Sequence, residues 1–312
     1  MRILFTGASS FTGSWFVKRL SEAGHELVCP LRGSDSGGGL RGRRLDWIRS
    51  GCRLVADATL GSDRFLAMAD EGPFDLFCHH AAEVGDYKSP AFDVLSAVEK
   101  NTRNLPPVLS TLKARGLRGV IYTGTYFEPD EGRGSAPLSA FSPYGLSKGL
   151  SWQVVRFHCG LLGLPVGKFV VPNPFGPLEE LRYTGYLMNQ WKRGEAALVR
   201  TPDYVRDNIH VDLLAAAYEV FARSFVADKS ELQNLNPSGY AGNQREFSER
   251  VAREVRQRTG WPCTLEFQPQ STFTEPLERT NGDTAVSIVP AWSEAAAWDG
   301  FVRYYTDDAA SV

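Results

Sequence analysis

An α/β fold, a doubly wound parallel sheet with a smaller C-terminal lobe, follows from three observations in the sequence. Short apolar runs alternate with helical patterns through about residue 170, a glycine-bearing turn follows the first run, and beyond residue 170 the alternation loosens. The runs near 2–6, 26–31, 52–55, 75–79, 119–123 and 167–171 read as buried strands. Long apolar faces near 92–115 and 144–162 read as helices. The boundary falls at residue 172, with residues 173–312 forming the smaller lobe over the carboxyl edge of the sheet and chain exchange between the two parts allowed. That edge is where open α/β sheets bind ligands.

The first turn carries a nucleotide-binding signal. Arg2-Ile3-Leu4-Phe5 leads into Thr6-Gly7-Ala8-Ser9-Ser10-Phe11-Thr12-Gly13 and then a helical pattern with Trp15, Phe16 and Leu20, closed by Gly24. Strand, turn and helix start aim backbone N–H groups and a positive helix end at a pyrophosphate. This makes the first domain a Rossmann-type dinucleotide binder, with Gly7, Ser9, Ser10, Phe11, Thr12 and Gly13 as its turn. Ser10 stands where the middle glycine of the usual fingerprint would be. The second strand runs into Arg32-Gly33-Ser34. An acidic residue there would hold the ribose hydroxyl of NAD, whereas arginine suits the 2′-phosphate of NADP. Arg41, Arg43 and Arg44 add positive charge; the other reading is an exposed basic loop. NADP(H) is favoured, with NAD(H) as the alternative. Gly33–Arg44 is expected to be a mobile loop over the cofactor, and Asp130–Pro137 a second polar loop.

Downstream, Tyr144-Gly145-Leu146-Ser147-Lys148 places a phenol and an ammonium one helical turn apart. The ammonium would favour the phenolate and lower the tyrosine pKa, as proton transfer near neutral pH requires. A solvated helix face is the plainer reading of such a pair, and the upstream nucleotide turn argues against it.

Taken together, these motifs resemble the extended short-chain dehydrogenases/reductases, in the nucleotide-sugar-modifying (NAD-dependent epimerase/dehydratase) branch, over nearly the whole chain. Further matching stretches are Asp57-Ala58 after the third strand, His79-His80-Ala81-Ala82, Asn101, Thr123-Gly124-Thr125, Asn173-Pro174-Phe175-Gly176-Pro177 and Arg206-Asp207-Asn208-Ile209-His210-Val211-Asp212. The resemblance implies that Asp57 and Ala58 contact adenine, and that Ala81, Ala82 and Thr123 border the cofactor. It implies Tyr144 as proton donor, Thr125 as its partner on the substrate oxygen, Lys148 on the nicotinamide ribose, and Asn101 as the anchor of a relay water. Thr123 competes with Thr125 for that place. Asn173 and Arg206 would meet a nucleotide-sugar diphosphate, although Arg206-Asp207 also reads as a local ion pair. Arg182 and Arg279 could add phosphate or ribose contacts, and Tyr87, Lys88 and Tyr183 could line the sugar pocket. Family 4,6-dehydratases carry Asp-Glu after the threonine; Tyr126-Phe127 here offer no carboxylate, and Glu128 is one place too far along.

Three functions stay open. The first is an NADPH-dependent reductase of a nucleotide-linked 4-keto (deoxy)sugar, which the stretch Gly124-Thr125-Tyr126-Phe127-Glu128 favours by its resemblance to certain sugar 4-ketoreductases. The second is an NAD-dependent nucleotide-sugar 4-epimerase, and the third a non-catalytic NADP-binding regulatory protein. The 312 residues, 43% of them hydrophobic, can bury a large core. A formal charge of −2 argues against broad nucleic-acid or membrane-surface binding. No apolar run approaches the ~20 residues that span a bilayer, and residues 1–20 read as a cofactor turn rather than a signal peptide. Five scattered cysteines without ligand spacing read as reduced thiols of a cytoplasmic protein, and no metal site is expected. By the resemblance, the two long helices pair in a homodimer.

Overall fold

The computed structural model describes residues 1–87, 89–228 and 230–307, so Lys88 lies outside the described residues. Strands β1 (Arg2–Thr6), β2 (Glu26–Pro30), β3 (Arg53–Val55), β4 (Leu76–His79), β5 (Gly119–Thr125) and β6 (Val166–Val171) fall close to the runs read from sequence. Between them lie helices α1 (Phe11–Glu22), α2 (Gly39–Ile48), α3 (Asp63–Asp70), α4 (Val94–Asn101), α5 (Leu105–Ala114) and α6 (Pro143–Leu162). Beyond β6 the chain forms β7 (Asn173–Phe175), α7 (Tyr183–Lys192), β8 (Ala197–Val199), β9 (Val205–His210), α8 (Val211–Ala227), β10 (Leu232–Leu235), α9 (Gln244–Thr259), α10 (Ala285–Ile288) and α11 (Glu294–Thr306). The main sheet has seven strands in the order β10-β6-β5-β4-β1-β2-β3. Every pairing in it is parallel. The order reverses between β1 and β4, which opens a crevice at their carboxyl ends.

Alternation along the strands divides the core into two layers. Ile3, Phe5, Leu27, Cys29, Cys78, Ile121 and Phe169 face α1, α2 and α8. Leu4, Val28, Phe77, Val120 and Tyr122 face α3, α5 and α6. Phe16 joins α1 to α8 by stacking on Tyr218, with centroids 4.2 Å apart. A third core of Phe175, Trp191, Phe247, Trp298 and Phe301 builds the smaller lobe from α7, α9 and α11. Among the described residues no helix is long and apolar enough to cross a membrane, and all five cysteines are unpaired.

Three details differ from the sequence reading. The apolar stretch 92–115 is two helices, because Asn104 is left-handed (φ 49°) and prolines stand in the first turn of α5. Gly33–Arg44 is not loop throughout: α2 begins at Gly39. Finally, β10 and α8, which follow residue 172 in sequence, belong to the main sheet and its helical layer. Phe16→Ala removes the ring that ties α1 to α8 and should cost about 3–5 kcal/mol. Denaturant unfolding checks this; a loss below about 1 kcal/mol would show that the cavity collapses freely.

Candidate active site

The turn after β1 is shaped by contact with the end of β4. Gly7 has φ 83°, and a Cβ there would lie 2.8 Å from the Ala81 nitrogen. A Cβ on Gly13 would run into the Gly7 carbonyl oxygen. Ser10 caps α1, accepting from the Gly13 N–H at 3.1 Å and donating to the Gly7 carbonyl at 2.8 Å. This cradle fits a dinucleotide pyrophosphate, since the bare backbone and the N–H groups of the first helical turn face the crevice. Ser9 and Thr12 are half-buried at its rim, and Phe11 is buried behind it.

Two neutral histidines lock the cradle to the neighbouring strands. The Thr6 hydroxyl accepts from the His80 and Ala81 N–H groups, both at 3.1 Å, and lies 3.2 Å from His79 Nδ1. His79 Nε2 donates to the Asn101 carbonyl at 2.8 Å. His80 Nε2 reaches Ser10 and Thr12 at 3.2 and 3.1 Å, and its Nδ1 meets the Thr123 hydroxyl at 3.1 Å. Burial lowers the His79 pKa to about 4. Both histidines are therefore packing and bridging groups, and Thr123 is committed to His80. The Thr125 hydroxyl, in contrast, accepts a long contact from the Phe127 N–H, at 3.4 Å.

The helix bearing Tyr144 starts cleanly: Ser142 caps it, Pro143 opens it, and Gly145 lies so close to the Phe127 carbonyl that a side chain would collide with it. That contact brings Tyr144 to the end of β5, among Tyr87 (ring centroids 5.9 Å) and Phe92 (6.1 Å). Lys148 Nζ donates to the Thr123 carbonyl at 2.7 Å and sits 4.2 Å from the Tyr122 ring. Burial lowers its pKa to about 8, with Lys168 adding and Glu128 opposing. The expected lowering of the tyrosine is not what the structure shows. Burial and then Glu128 push the Tyr144 phenol up, and Arg182 is the cation that pulls it down. The reason is geometric: the ammonium is spent on the Thr123 carbonyl.

Asn101 is buried and tied on both amide atoms, accepting from the Glu83 N–H at 2.7 Å and donating to Ser151 at 3.2 Å. Arg32 is largely exposed and pairs with Glu83 at 3.1 Å. Asp57 is exposed on a left-handed residue (φ 53°) whose N–H donates to the Gly33 carbonyl, which sets it and the buried Ala58 beside the Arg32 loop. Ala81 and Ala82 are half-buried at the crevice. Arg44 does not join that field. It is buried, donates to the Leu178 carbonyl and pairs with Glu180 at 2.7 Å.

On the opposite wall, Arg182 stacks 5.7 Å from the Tyr87 ring and joins the Tyr144 pocket. Asn173 donates to Asn208 at 2.6 Å. Tyr183 lies 2.5 Å from the Ser248 hydroxyl. Arg206 forms no local pair with Asp207, which instead accepts from the Gly239 and Asn281 N–H groups. Its guanidinium serves the Val205 and Leu277 carbonyls and Glu275 at 2.9 Å. Arg279 is buried and donates to the carbonyls of Tyr126, Glu128, Glu131 and Ser139. It clamps the loop before α6. Phe141 in that loop lies between both guanidiniums, 5.1 Å from Arg206 and 4.8 Å from Arg279. Tyr126 is buried and Phe127 stacks on Phe141 at 4.8 Å, so no carboxylate stands at those two places.

Sequence reasoning left one feature without interpretation. Lys168, buried on β6, pairs with Glu128 at 2.6 Å and Glu131 at 2.5 Å. The signal was a lone lysine within an apolar strand.

A seven-stranded Rossmann sheet bearing this tyrosine–lysine helix defines an enzyme of the extended short-chain dehydrogenase/reductase type. Residues 3–235 match the model of the NAD dependent epimerase/dehydratase family, and the chain belongs to that family. Among solved structures, it is similar to UDP-glucuronic acid 4-epimerase from Bacillus cereus (TM-score 0.73, 16% identity, 98% of this chain and 99% of that one). It is similar as well to UDP-glucose-4-epimerase from Stenotrophomonas maltophila (0.76, 18%, 100% of both chains). A third is the dTDP-glucose 4,6-dehydratase DesIV from Streptomyces venezuelae (0.72, 18%, 100% and 98%). At these identities the likeness is one of fold. None of the curated proteins matches the chain by sequence.

Burial also holds His210 neutral, at about 3, against 6.5 for an ordinary histidine. His79 and His210 thus have folded values below their unfolded ones, so protons bind the unfolded chain first. Their contribution to stability is present above pH 6.5 and lost as pH falls toward 4, roughly 2 kcal/mol each at pH 5. Denaturation at pH 7 and pH 5 should show this loss, and His210→Asn should reduce it. An equal loss in that variant would refute the assignment.

Proposed function

We propose that the protein transfers a hydride at C4 of a nucleotide-linked sugar, acting as an NADPH-dependent reductase of a 4-keto (deoxy)sugar. The observation that carries this reading is a half-buried, protonated Tyr144 in the first turn of α6, beside the end of β5 and flanked by Arg182 and Tyr87, with no carboxylate at positions 126 and 127. The nicotinamide cofactor supplies the hydride when bound in the cradle from Gly7 to Gly13. Tyr144 gives its proton to the carbonyl oxygen, and Thr125 donates a hydrogen bond to the same atom. Lys148, as ammonium, follows the transferred proton and orients the ribose. Asn101 fixes the 81–83 turn through the Glu83 N–H and anchors the relay water.

Arg182, partly exposed beside the tyrosine pocket, is the best placed phosphate ligand, and Asn173, bonded to Asn208, is assigned the same role. Arg206 reaches a phosphate on leaving Glu275. Replacing Tyr126-Phe127 by acid–base carboxylates is what dehydration would require, and this argues against that third activity of the family. Arg32 supports NADP(H) through the 2′-phosphate it could hold.

A 4-epimerase using NAD(H) is the second reading. It is favoured by the Arg32–Glu83 pair, which leaves a carboxylate near the adenosine ribose, and by the 4-epimerases of similar fold, one of them solved with UDP-glucuronic acid and NAD. The proposal includes a homodimer: Leu146, Leu150, Phe157 and Leu161 form an exposed stripe on α6, beside Leu95 on α4. Light scattering at the mass of one chain would end that part. A cytoplasmic setting suits the five unpaired thiols.

Nucleotide released by denaturing the purified protein decides between the readings: retained NAD selects the epimerase, and an empty site preferring NADPH selects the reductase. Tyr144→Phe should lower turnover by about 10²–10⁴-fold with cofactor affinity nearly unchanged. Retention of most activity in that variant would remove Tyr144 from the mechanism.

A further inference from the structure

Beneath the catalytic edge lies a charge cluster that hydride transfer does not itself require. The Glu128 side chain is fully buried, and its Oε1 accepts from the Thr125 N–H at 2.8 Å. Its Oε2 meets Lys168 Nζ at 2.6 Å, and Lys168 also reaches Glu131. Lys168 enters from β6 and packs 5.2 Å from the Trp152 ring of α6. The sequence makes room for it: a Cβ on Gly124 would lie 2.6 Å from Lys168 Cε and 2.9 Å from Glu128 Oε1. A buried lysine and carboxylate are costly unless paired, and truncating either leaves the other charge stranded.

The geometry points to Glu128, held by Lys168, as a positioning residue that fixes the Thr125 main chain and, through its carboxylate, biases the Tyr144–Lys148 pair. It rests on the hydride-transfer reading above. Glu128 Oε1 ties down the N–H of the residue whose hydroxyl meets the substrate oxygen, so the turn from Thr125 to Glu128 closes on itself. Its charge acts on both partners in one direction. It disfavours the Tyr144 phenolate, which also feels Arg182 and Tyr87, and it favours the Lys148 ammonium, which also feels Lys168. Burial pushes the Glu128 carboxyl up, and Lys168 and Lys148 pull it back down. The resting pair is thus biased to the form that gives a proton, the form a carbonyl reduction starts from.

The test uses the full chain and two readouts. The first needs no substrate: a pH titration of lysine ε-carbons by ¹³C NMR, with the Lys148 signal identified by its loss in Lys148→Arg. Its midpoint, at about 8 in the parent, should fall in Glu128→Gln, by roughly one pH unit. The second is turnover of a UDP-linked 4-keto-6-deoxyglucose with NADPH or NADH. Glu128→Gln should lower kcat by about 10- to 100-fold with KM within about twofold, and should move the alkaline limb of kcat to lower pH. Thr125→Ala should add little on that background, and Lys168→Arg should keep most of the parent kcat. The double variant Glu128→Gln/Lys168→Met removes both charges at once, so it reports on turnover even where one stranded charge unfolds the chain. An unmoved Lys148 midpoint, or effects of Thr125→Ala and Glu128→Gln that multiply independently, would overturn the proposal. A parent protein that reduces no keto-sugar would end the functional reading instead, while the NMR midpoint still decides the role of Glu128.

Discussion

The close approach of two backbone segments at the point where strand order reverses governs the rest of this molecule. Thr6–Gly7 at the end of β1 and His80–Ala81 at the end of β4 meet at a distance that leaves no space for a Cβ on Gly7. The Thr6 hydroxyl receives both N–H groups of the second segment, so neither is left unpaired in the crevice. Everything that lines the crevice is referenced to this junction. His79 carries it to Asn101 and the start of the 81–83 turn, and His80 carries it to Ser10, Thr12 and Thr123. One junction therefore aligns the cofactor cradle, the segment after β4 and the end of β5.

Uncharged imidazoles are what this arrangement needs. A histidine with one donor and one acceptor can link a carbonyl on one side to a hydroxyl on the other, whereas an imidazolium would need two acceptors. Desolvation keeps His79 neutral at the pH where such an enzyme works. The same rule organises the charged residues that are buried elsewhere. Arg279 spends its terminal nitrogens on four carbonyls, Arg44 on the Leu178 carbonyl and Glu180, and Lys168 on two carboxylates. Each joins segments far apart in sequence, so the polar interior fixes relative placement while the apolar layers supply most of the burial.

Legibility in the sequence followed the range of the interactions. Strands β1, β2, β4, β5 and β6 were readable because residues facing either side of the sheet are buried on each, and that pattern is local. The cradle was readable because Gly13 answers to contacts within its own turn and Gly7 to a left-handed φ of 83°, although the Ala81 backbone that Gly7 meets is distant in sequence. The split of 92–115 was signalled by Pro106 and Pro107, which suit a helix start as well as they interrupt one. Arginines were the poorest guide. Arg32, Arg44, Arg206 and Arg279 look alike in sequence, yet one is exposed beside a carboxylate, two are buried clamps, and one bridges carbonyls and Glu275. Partners 51 to 153 residues away decide between these fates, and no local pattern encodes them. Lys168 and Glu128 are a pair of the same kind, separated by 40 residues.

The proposed tetrad of Asn101, Thr125, Tyr144 and Lys148 would serve a reductase and an epimerase alike, so direction of reaction has to be set by what surrounds it. An epimerase begins by taking a proton from a hydroxyl, and its tyrosine must then be reachable as phenolate. Here the buried carboxylate of Glu128 opposes that state, and Lys148, one helical turn on, donates to the Thr123 carbonyl. Arg182 is the remaining cation acting on the phenol, and its placement beside Tyr87 also suits a phosphate. Once a phosphate neutralises Arg182, the phenolate loses that support as well. Binding of an anionic substrate would thus strengthen the proton-donating bias, which is the order of events that carbonyl reduction needs and an initial oxidation does not.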